Sequence, residues 1–462
     1  MSLPTRLLQA IAAHHGGQVV IVAGAGCSVE APTNLRLAGQ CSLDAHDQLV
    51  RDAVLGPDEC PDASDLTILA DTVVAKTHGQ TELVKRLPRQ PFRQAKPNRG
   101  HQLAAALLLE RALASVLTLN FDLAFSNALS ELGAEGRIAV IPGPENHNDL
   151  AAANIIYLHR SVDAEPESWI LTSKALQVGW KGGWEAVMAS RILSSPVLVF
   201  AGLGSPATVL TESLALIRKA VPDGVAVYQV DPGRLAASSF SSQLNIDAGD
   251  YLQMGWCEFM DRLAQRVTIE HLGSLGVACA ALVTDEGLED PDVASTLEKL
   301  DSEGLIYIGQ LRAHWLLSTR TYVTHGEVEP KLLADLLLGV ALVESKTGRA
   351  ARFCDNGIVE FEFEGRVVSF VMATGAGHRR WQSLESRLME KRADWKRHNP
   401  RPLYAIVSGF TGNPNRTSSL PETIIPQTSE ESIVDGAGNT LTMIDVDELR
   451  LDQKTIERIF IG

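Results

Sequence analysis

The chain has 462 residues, 45% of them hydrophobic and 21% charged, and a net charge of −15. That length supports two or three domains with real cores, and the acidity argues against a protein that coats nucleic acid non-specifically. Six cysteines (Cys27, Cys41, Cys60, Cys257, Cys279 and Cys354) show no C-x-x-C spacing, so neither a zinc knuckle nor a disulfide framework is signalled, and a reducing cytoplasm is expected. The N-terminal MSLPTRLLQAIAAHHGG has no long apolar core and no small-residue cleavage site. Apolar runs such as Ala334–Val343 are too short to cross a bilayer, so no membrane is expected.

Along the chain, Val19–Ala23 is a β-branched apolar run and reads as a strand. Gly100–Ala114 (GHQLAAALLLERALA) reads as a buried helix. Ser115–Leu119, Ile155–Leu158, Pro196–Ala201 and Val225–Val230 read as further strands. Near-continuous apolar strands separated by helices predict a doubly wound, Rossmann-like parallel sheet covered on both faces, an α/β unit over residues 1–268. Residues 269–327 change rhythm. Within Asp290–Gly309 an amphipathic helix, a Ser-Glu-Gly turn and a short β-rich strand follow one another, which predicts a winged-helix-like connector. A helix capped by Gly304 and followed by an unrelated strand fits the same letters. An α+β unit is expected over 328–462. Its elements are a long apolar helix at Glu329–Lys346, strands Ile358–Phe363 and Val367–Ala373 joined through Glu364-Gly365, a charged amphipathic helix at Trp381–Arg397, a buried strand within Pro402–Ser408, and a polar loop at Gly412–Thr440.

The first chemical signal lies in VVIVAGAGCSVEAP, Val19–Pro32. A strand breaking into Gly24-Ala25-Gly26 is a common way to bring backbone close to a phosphate. No Gly-Lys-Ser/Thr follows, so it is not a P-loop. A dehydrogenase turn prefers Gly where Val29 stands, and wants an acidic strand end about 20 residues later, where CSLDAHDQ is not strand-like. Alone, the turn also reads as an ordinary strand-to-helix connection.

Its company is more specific. Thr118-Leu119-Asn120-Phe121-Asp122 follows a buried strand, and Leu158-His159 ends the next. Then come Ala201-Gly202-Leu203-Gly204-Ser205-Pro206 and Val230-Asp231. With Pro97-Asn98-Arg99-Gly100-His101 before an Ala/Leu-rich helix, this order over residues 15–260 resembles the sirtuin family in the broad sense. Protein-deacylating members carry a four-cysteine zinc module after the catalytic histidine. Here no cysteine lies between Cys60 and Cys257, and the usual His-Gly pair is His159-Arg160. The chain is thus similar to the zinc-less bacterial branch. That implies NAD as substrate, no metal, an NAD hydrolase acting in antiphage defence, and a homo-oligomer or a partner defence protein (an ATPase, an Argonaute or a phage-encoded trigger). The resemblance further implies that the turn amides face the pyrophosphate, with Gly24, Ala25, Gly26, Ser28, Thr118, Gly202, Gly204 and Ser205 along the nucleotide.

Cleaving the nicotinamide–ribose bond develops oxocarbenium character, so the protein must hold the ribose and place a water. Asn120 offers a donor and an acceptor for that, His159 a base, Asp122 an orienting or charge-offsetting carboxylate, and Asp231 a grip on the adenosine ribose hydroxyls. Each has a structural alternative. Asn-x-Asp caps helices, His159 fits a satisfied core position, and Asp231-Pro232 opens turns. Two other functions stay open: a non-catalytic sensor of NAD or an ADP-ribose derivative, and a nucleic-acid-directed protein regulated by its N-terminal domain.

In the C-terminal part, Glu344-Ser345-Lys346 is half of a nuclease signature but closes a helix. Asp355, the hairpin and the strand in Pro402–Ser408 are laid out like a restriction-endonuclease fold whose Glu and Lys slots hold Met372 and Thr374, a degenerate module. His378-Arg379-Arg380-Trp381, Lys391-Arg392 and Lys396-Arg397 form either a basic face for nucleic acid or a solvated helix side.

Overall fold

The computed structural model of the chain describes residues 3–12, 17–204, 214, 224–285, 287, 291–315, 329–354, 357–374, 388, 403–408, 442–445, 449, 452–454 and 456. It divides into two compact units, Met1–Val267 and Thr268–Gly462.

In the first unit, seven strands form one sheet: β1 (Val19–Ala23), β2 (Leu113–Thr118), β3 (Ala139–Ile141), β4 (Asn154–Tyr157), β5 (Val197–Ala201), β6 (Ala226–Val230) and β7 (Tyr251–Leu252). Their order is β3-β4-β2-β1-β5-β6-β7, and every pairing is parallel. β1, β4 and β5 are buried at every residue, as a sheet covered on both faces requires. This is a doubly wound, Rossmann-like α/β fold. The chain leaves β1 toward β2 and returns to its other side as β5, so β1 lies at the topological switch point, where such sheets open a crevice beyond the strands' carboxyl ends.

The helix expected over Gly100–Ala114 is Arg99–Leu109. Arg111 takes φ +56°, which ends the helix and turns the chain into β2. Between 38 and 93, helices Ala38–Arg51, Leu66–Thr77, Thr81–Val84 and Arg89–Arg93 build a small module. Leu49, Leu69, Val73 and Phe92 form its core together with Trp169. Asp65 caps the second of these helices, accepting from Thr67 N at 2.8 Å and Ile68 N at 3.1 Å.

Trp256–Asp285 is one 30-residue helix, long and apolar enough to cross a membrane by length and composition. Its residues Met260, Leu263, Val267, His271, Leu275, Cys279 and Leu282 recur every three or four positions and are buried, so this stripe packs inside the molecule.

In the second unit, β8 (Arg352–Cys354), β9 (Ile358–Phe363), β10 (Arg366–Thr374), β11 (Leu403–Ser408) and β12 (Thr442–Asp445) form a mixed sheet in the order β12-β11-β10-β9-β8. β8, β9 and β10 pair antiparallel, and β10, β11 and β12 parallel. The hairpin through Glu364-Gly365 is present, with φ +50° and +77° at its two residues. One expectation fails. The strand placed after Gly304 is a helix, Leu305–Trp315, so the connector has no wing strand there. Leu305, Tyr307, Ile308, Leu311 and Trp315 are all buried, and a helix buried on several sides loses the apolar period that would mark it. Glu344 lies in the helix Glu329–Thr347, where its carboxylate pairs with Lys299 and accepts from Thr296 Oγ1 at 3.0 Å and Ala351 N at 2.6 Å. The basic pairs at 379–380, 391–392 and 396–397, Asp355, most of the 381–397 helix and the 412–440 loop lie outside the described residues.

Candidate functional site at the switch point

The parallel ladder continues past the strand ends and holds the loops in register. Leu119 N donates to Ala23 O at 3.0 Å, Leu158 N to Thr118 O at 3.0 Å, and Gly24 N to Ala201 O at 2.9 Å. Three polar side chains meet beyond β1 and β2. Asn120 Nδ2 donates to Gly24 O at 3.1 Å and to Ser28 Oγ at 3.2 Å. Ser28 Oγ donates to Asp122 Oδ2 at 2.9 Å, and Ala124 N donates to Asp122 Oδ1 at 3.0 Å. All three side chains are buried. Burial pushes the Asp122 carboxyl above its ordinary range, and the donated hydrogen bonds offset part of that rise.

The network opens on a cavity of about 70 Å³, several times the roughly 10–15 Å³ that one water needs. Ser28, Arg36, Asn120 and Asp122 are its polar lining, and Leu35, Leu66, Leu87, Phe92 and Phe121 stand among its apolar walls. A polar cluster facing an apolar slot suits a flat ring that carries a hydrogen-bonding group.

The β1–β5 side is built differently. Gly26 N donates to Gly202 O at 2.8 Å, and Gly202 has φ +67°. A Cβ on Gly26 would sit 2.6 Å from Gly202 Cα, and one on Gly202 would sit 2.4 Å from Cys27 N. The glycines therefore serve a backbone-on-backbone contact. The amides of Gly24 and Gly26 donate to the Ala201 and Gly202 carbonyls. Thr118 is fully buried, and its Oγ1 accepts from Asn120 N at 3.1 Å, so it sets the Asn120 backbone. Gly204 follows in the loop after β5, and Ser205 lies outside the described residues. Asp231, at the end of β6, accepts from Gly233 N at 2.6 Å, the turn opening that its sequence allowed.

His159 ends β4. It does not line the cavity, and among the described residues no hydrogen bond joins it to the Ser28–Asn120–Asp122 network. Its ring centroid is 6.5 Å from that of Phe121, which lines the cavity and stacks on Trp169 at 4.3 Å. Among the described residues its Nε2 is enclosed without a partner. Burial, and then the neighbouring Arg160 charge, push its pKa down to about 4. The imidazole is therefore neutral at pH 7, a proton acceptor of low basicity.

Sequence reasoning missed several supports. Asn98 Nδ2 donates to Cys27 O at 2.9 Å and Glu30 O at 3.4 Å, so Asn98 holds the loop after β1. Glu30 Oε1 accepts from Trp256 N at 2.6 Å, at the start of the long helix. Arg160 has φ +79° and an ion pair with the buried Glu185 at 2.9 Å. A non-glycine residue in that region costs roughly 1–2 kcal/mol, and only the His-Arg departure at 159–160 hinted at it. Among the described residues no group of His, Cys, Asp and Glu is placed to hold a metal.

No protein-family model matches the chain. No curated protein matches it. Among solved structures it is similar to a mutant Sir2 homologue with ADP-ribose, at 20% identity over 57% of this chain and 96% of that one, TM-score 0.33. It is also similar to a Sir2 homologue–NAD complex (19% identity, 58% and 95%, TM-score 0.33). A third is Sir2 with the inhibitor EX-527, 2′-O-acetyl-ADP-ribose and a deacetylated p53 peptide (17%, 57% and 98%, TM-score 0.32). At such scores the fold rests on strand order and register, not on this likeness.

Proposed function

We propose that the unit Met1–Val267 binds NAD and hydrolyses it to nicotinamide and ADP-ribose. One observation carries this reading: the buried Ser28–Asn120–Asp122 network opens on a mixed polar and apolar cavity at the carboxyl ends of β1 and β2. In the reaction, a water oxygen bonds to ribose C1′ as the C1′–nitrogen bond breaks. The bonding pair leaves with nicotinamide, whose ring nitrogen becomes neutral. Asn120 orients the ribose or the water, and the Asp122 carboxylate offsets the developing positive charge. His159, neutral at pH 7, takes the proton released by the water. Asp231 holds the adenosine ribose, and the loop pair at Gly26 and Gly202 sets the floor beneath the dinucleotide.

Freely running NAD cleavage would poison a host, so the activity is gated. Thr268–Gly462 receives the trigger or holds an assembly, and NAD depletion serves antiphage defence. A second reading, a sensor of NAD or an ADP-ribose derivative, is favoured by the low basicity of His159. Nicotinamide release by the purified chain, beside Asn120→Ala and His159→Ala, separates the two. Release that both substitutions abolish supports the hydrolase. Tight NAD binding with no release, trigger included, supports the sensor.

A further inference from the structure

The Arg160–Glu185 pair has no role in the reaction drawn above. Neither residue lines the cavity, yet Glu185 is buried and Arg160 largely enclosed, at 4% and 12% side-chain exposure. Arg160 Nη1 donates to Glu185 Oε1 at 2.9 Å, on the helix Trp184–Leu193, and to Leu158 O at 3.4 Å, one residue before His159. The same helix packs Trp184 and Met188 against the core cluster that contains Leu158. A second tether holds the other side of the turn, where Ile170 N donates to His159 O at 3.4 Å. A glycine would make this turn without backbone strain; the arginine is held at φ +79°. Buried ion pairs add little net stability, and their best-attested use is to fix one arrangement. His159 therefore lies between two tethers, one of them ionic.

We propose that Arg160 and Glu185 are positioning residues: they fix the turn after β4, and through it the His159 ring, against the helix Trp184–Leu193, so that turnover requires that helix to be docked. The inference rests on the NAD-hydrolase reading for turnover, and on geometry alone for the ring. The test uses the full chain with Arg160→Gly, Arg160→Lys, Glu185→Gln and the Gly/Gln double variant. It measures kcat and KM for nicotinamide release, and the His159 imidazole signals in nitrogen-15 spectra. Arg160→Gly and Glu185→Gln are each expected to lower kcat at least tenfold with KM within threefold, and to move the ring signals. The double variant is expected to lose no more than the worse single, and Arg160→Lys to stay within threefold of the parent. Ring signals unmoved in the singles, or losses that multiply in the double, overturn the proposal. If the parent chain cleaves no NAD, the hydrolase reading falls, and the ring signals alone decide this one. If Arg160→Gly does not fold, the isosteric Glu185→Gln decides it.

Discussion

The two flanks of β1 use the same strand end in opposite ways. Toward β2, polar side chains reach across the gap, satisfy one another and leave a cavity. Toward β5, the two backbones touch through Gly26 and Gly202, with the Leu203 side chain packed against Gly24. The difference teaches that a glycine-rich turn beside a switch point need not be a phosphate cradle. Here its glycines seal one flank so that Ser28, four residues on from Gly24, is delivered to the other.

That contrast predicts effects of different kinds on the two flanks. The largest belongs to the polar side. Asn120→Ala is expected to lower nicotinamide release by about 100-fold or more, with NAD affinity measured by calorimetry changed far less; parental turnover in this variant would remove the polar flank from the chemistry. On the sealed side the readout is stability. Gly202→Ala places a Cβ 2.4 Å from Cys27 N at φ +67°, and a loss of roughly 2–4 kcal/mol is expected in urea unfolding.

The buried His101 and the half-buried His159 sharpen the comparison through pH. His101 Nδ1 accepts from Asn98 N at 3.3 Å while its ring lies edge-on to Phe125, and burial pushes its pKa to about 3. His159 is pushed to about 4. Both folded values lie below the ordinary 6.5, so the unfolded chain binds protons that the folded one refuses. Stability should fall as pH drops from 6.5 toward 4, by about 1.4 kcal/mol per pH unit per histidine. Asp122 acts with the opposite sign: its raised pKa contributes stability at low pH that is lost as pH rises through the folded value. Melting temperatures across that range, with His101→Gln beside the parent, check the slope; an unchanged slope would show that His101 does not carry it. The smallest effect is expected at Asp65→Ala. It uncaps the helix whose Leu66 lines the cavity, at a cost of about 1 kcal/mol, with turnover within threefold of the parent.

The parallel sheet was legible because β1, β4 and β5 are buried at every position and, Asn154 aside, read as apolar runs. Ser28, Asn120 and Asp122 were legible because their motifs sit at strand ends, where a doubly wound sheet converges them. The cavity walls were not, since Leu66 stands at the first position of its helix, Leu87 lies between two helices, and Phe92 comes from a five-residue helix too short to show a period. Nor was the use of the glycine amides, which depends on a partner loop some 175 positions away. The 305–315 helix was misread because burial on several sides erased its period.

The central position of β1 also orders events in time. Val19 pairs with Leu113 on one flank and with Val197 on the other, sequence separations of 94 and 178. Strands with partners this distant assemble slowly, because the intervening chain must be closed into a loop first. On a ribosome, the Gly26–Gly202 seam has no second half until residue 202 has emerged. A stalled or truncated product ending before that point therefore lacks one wall of the crevice, and synthesis must pass the middle of the sheet before the crevice is complete.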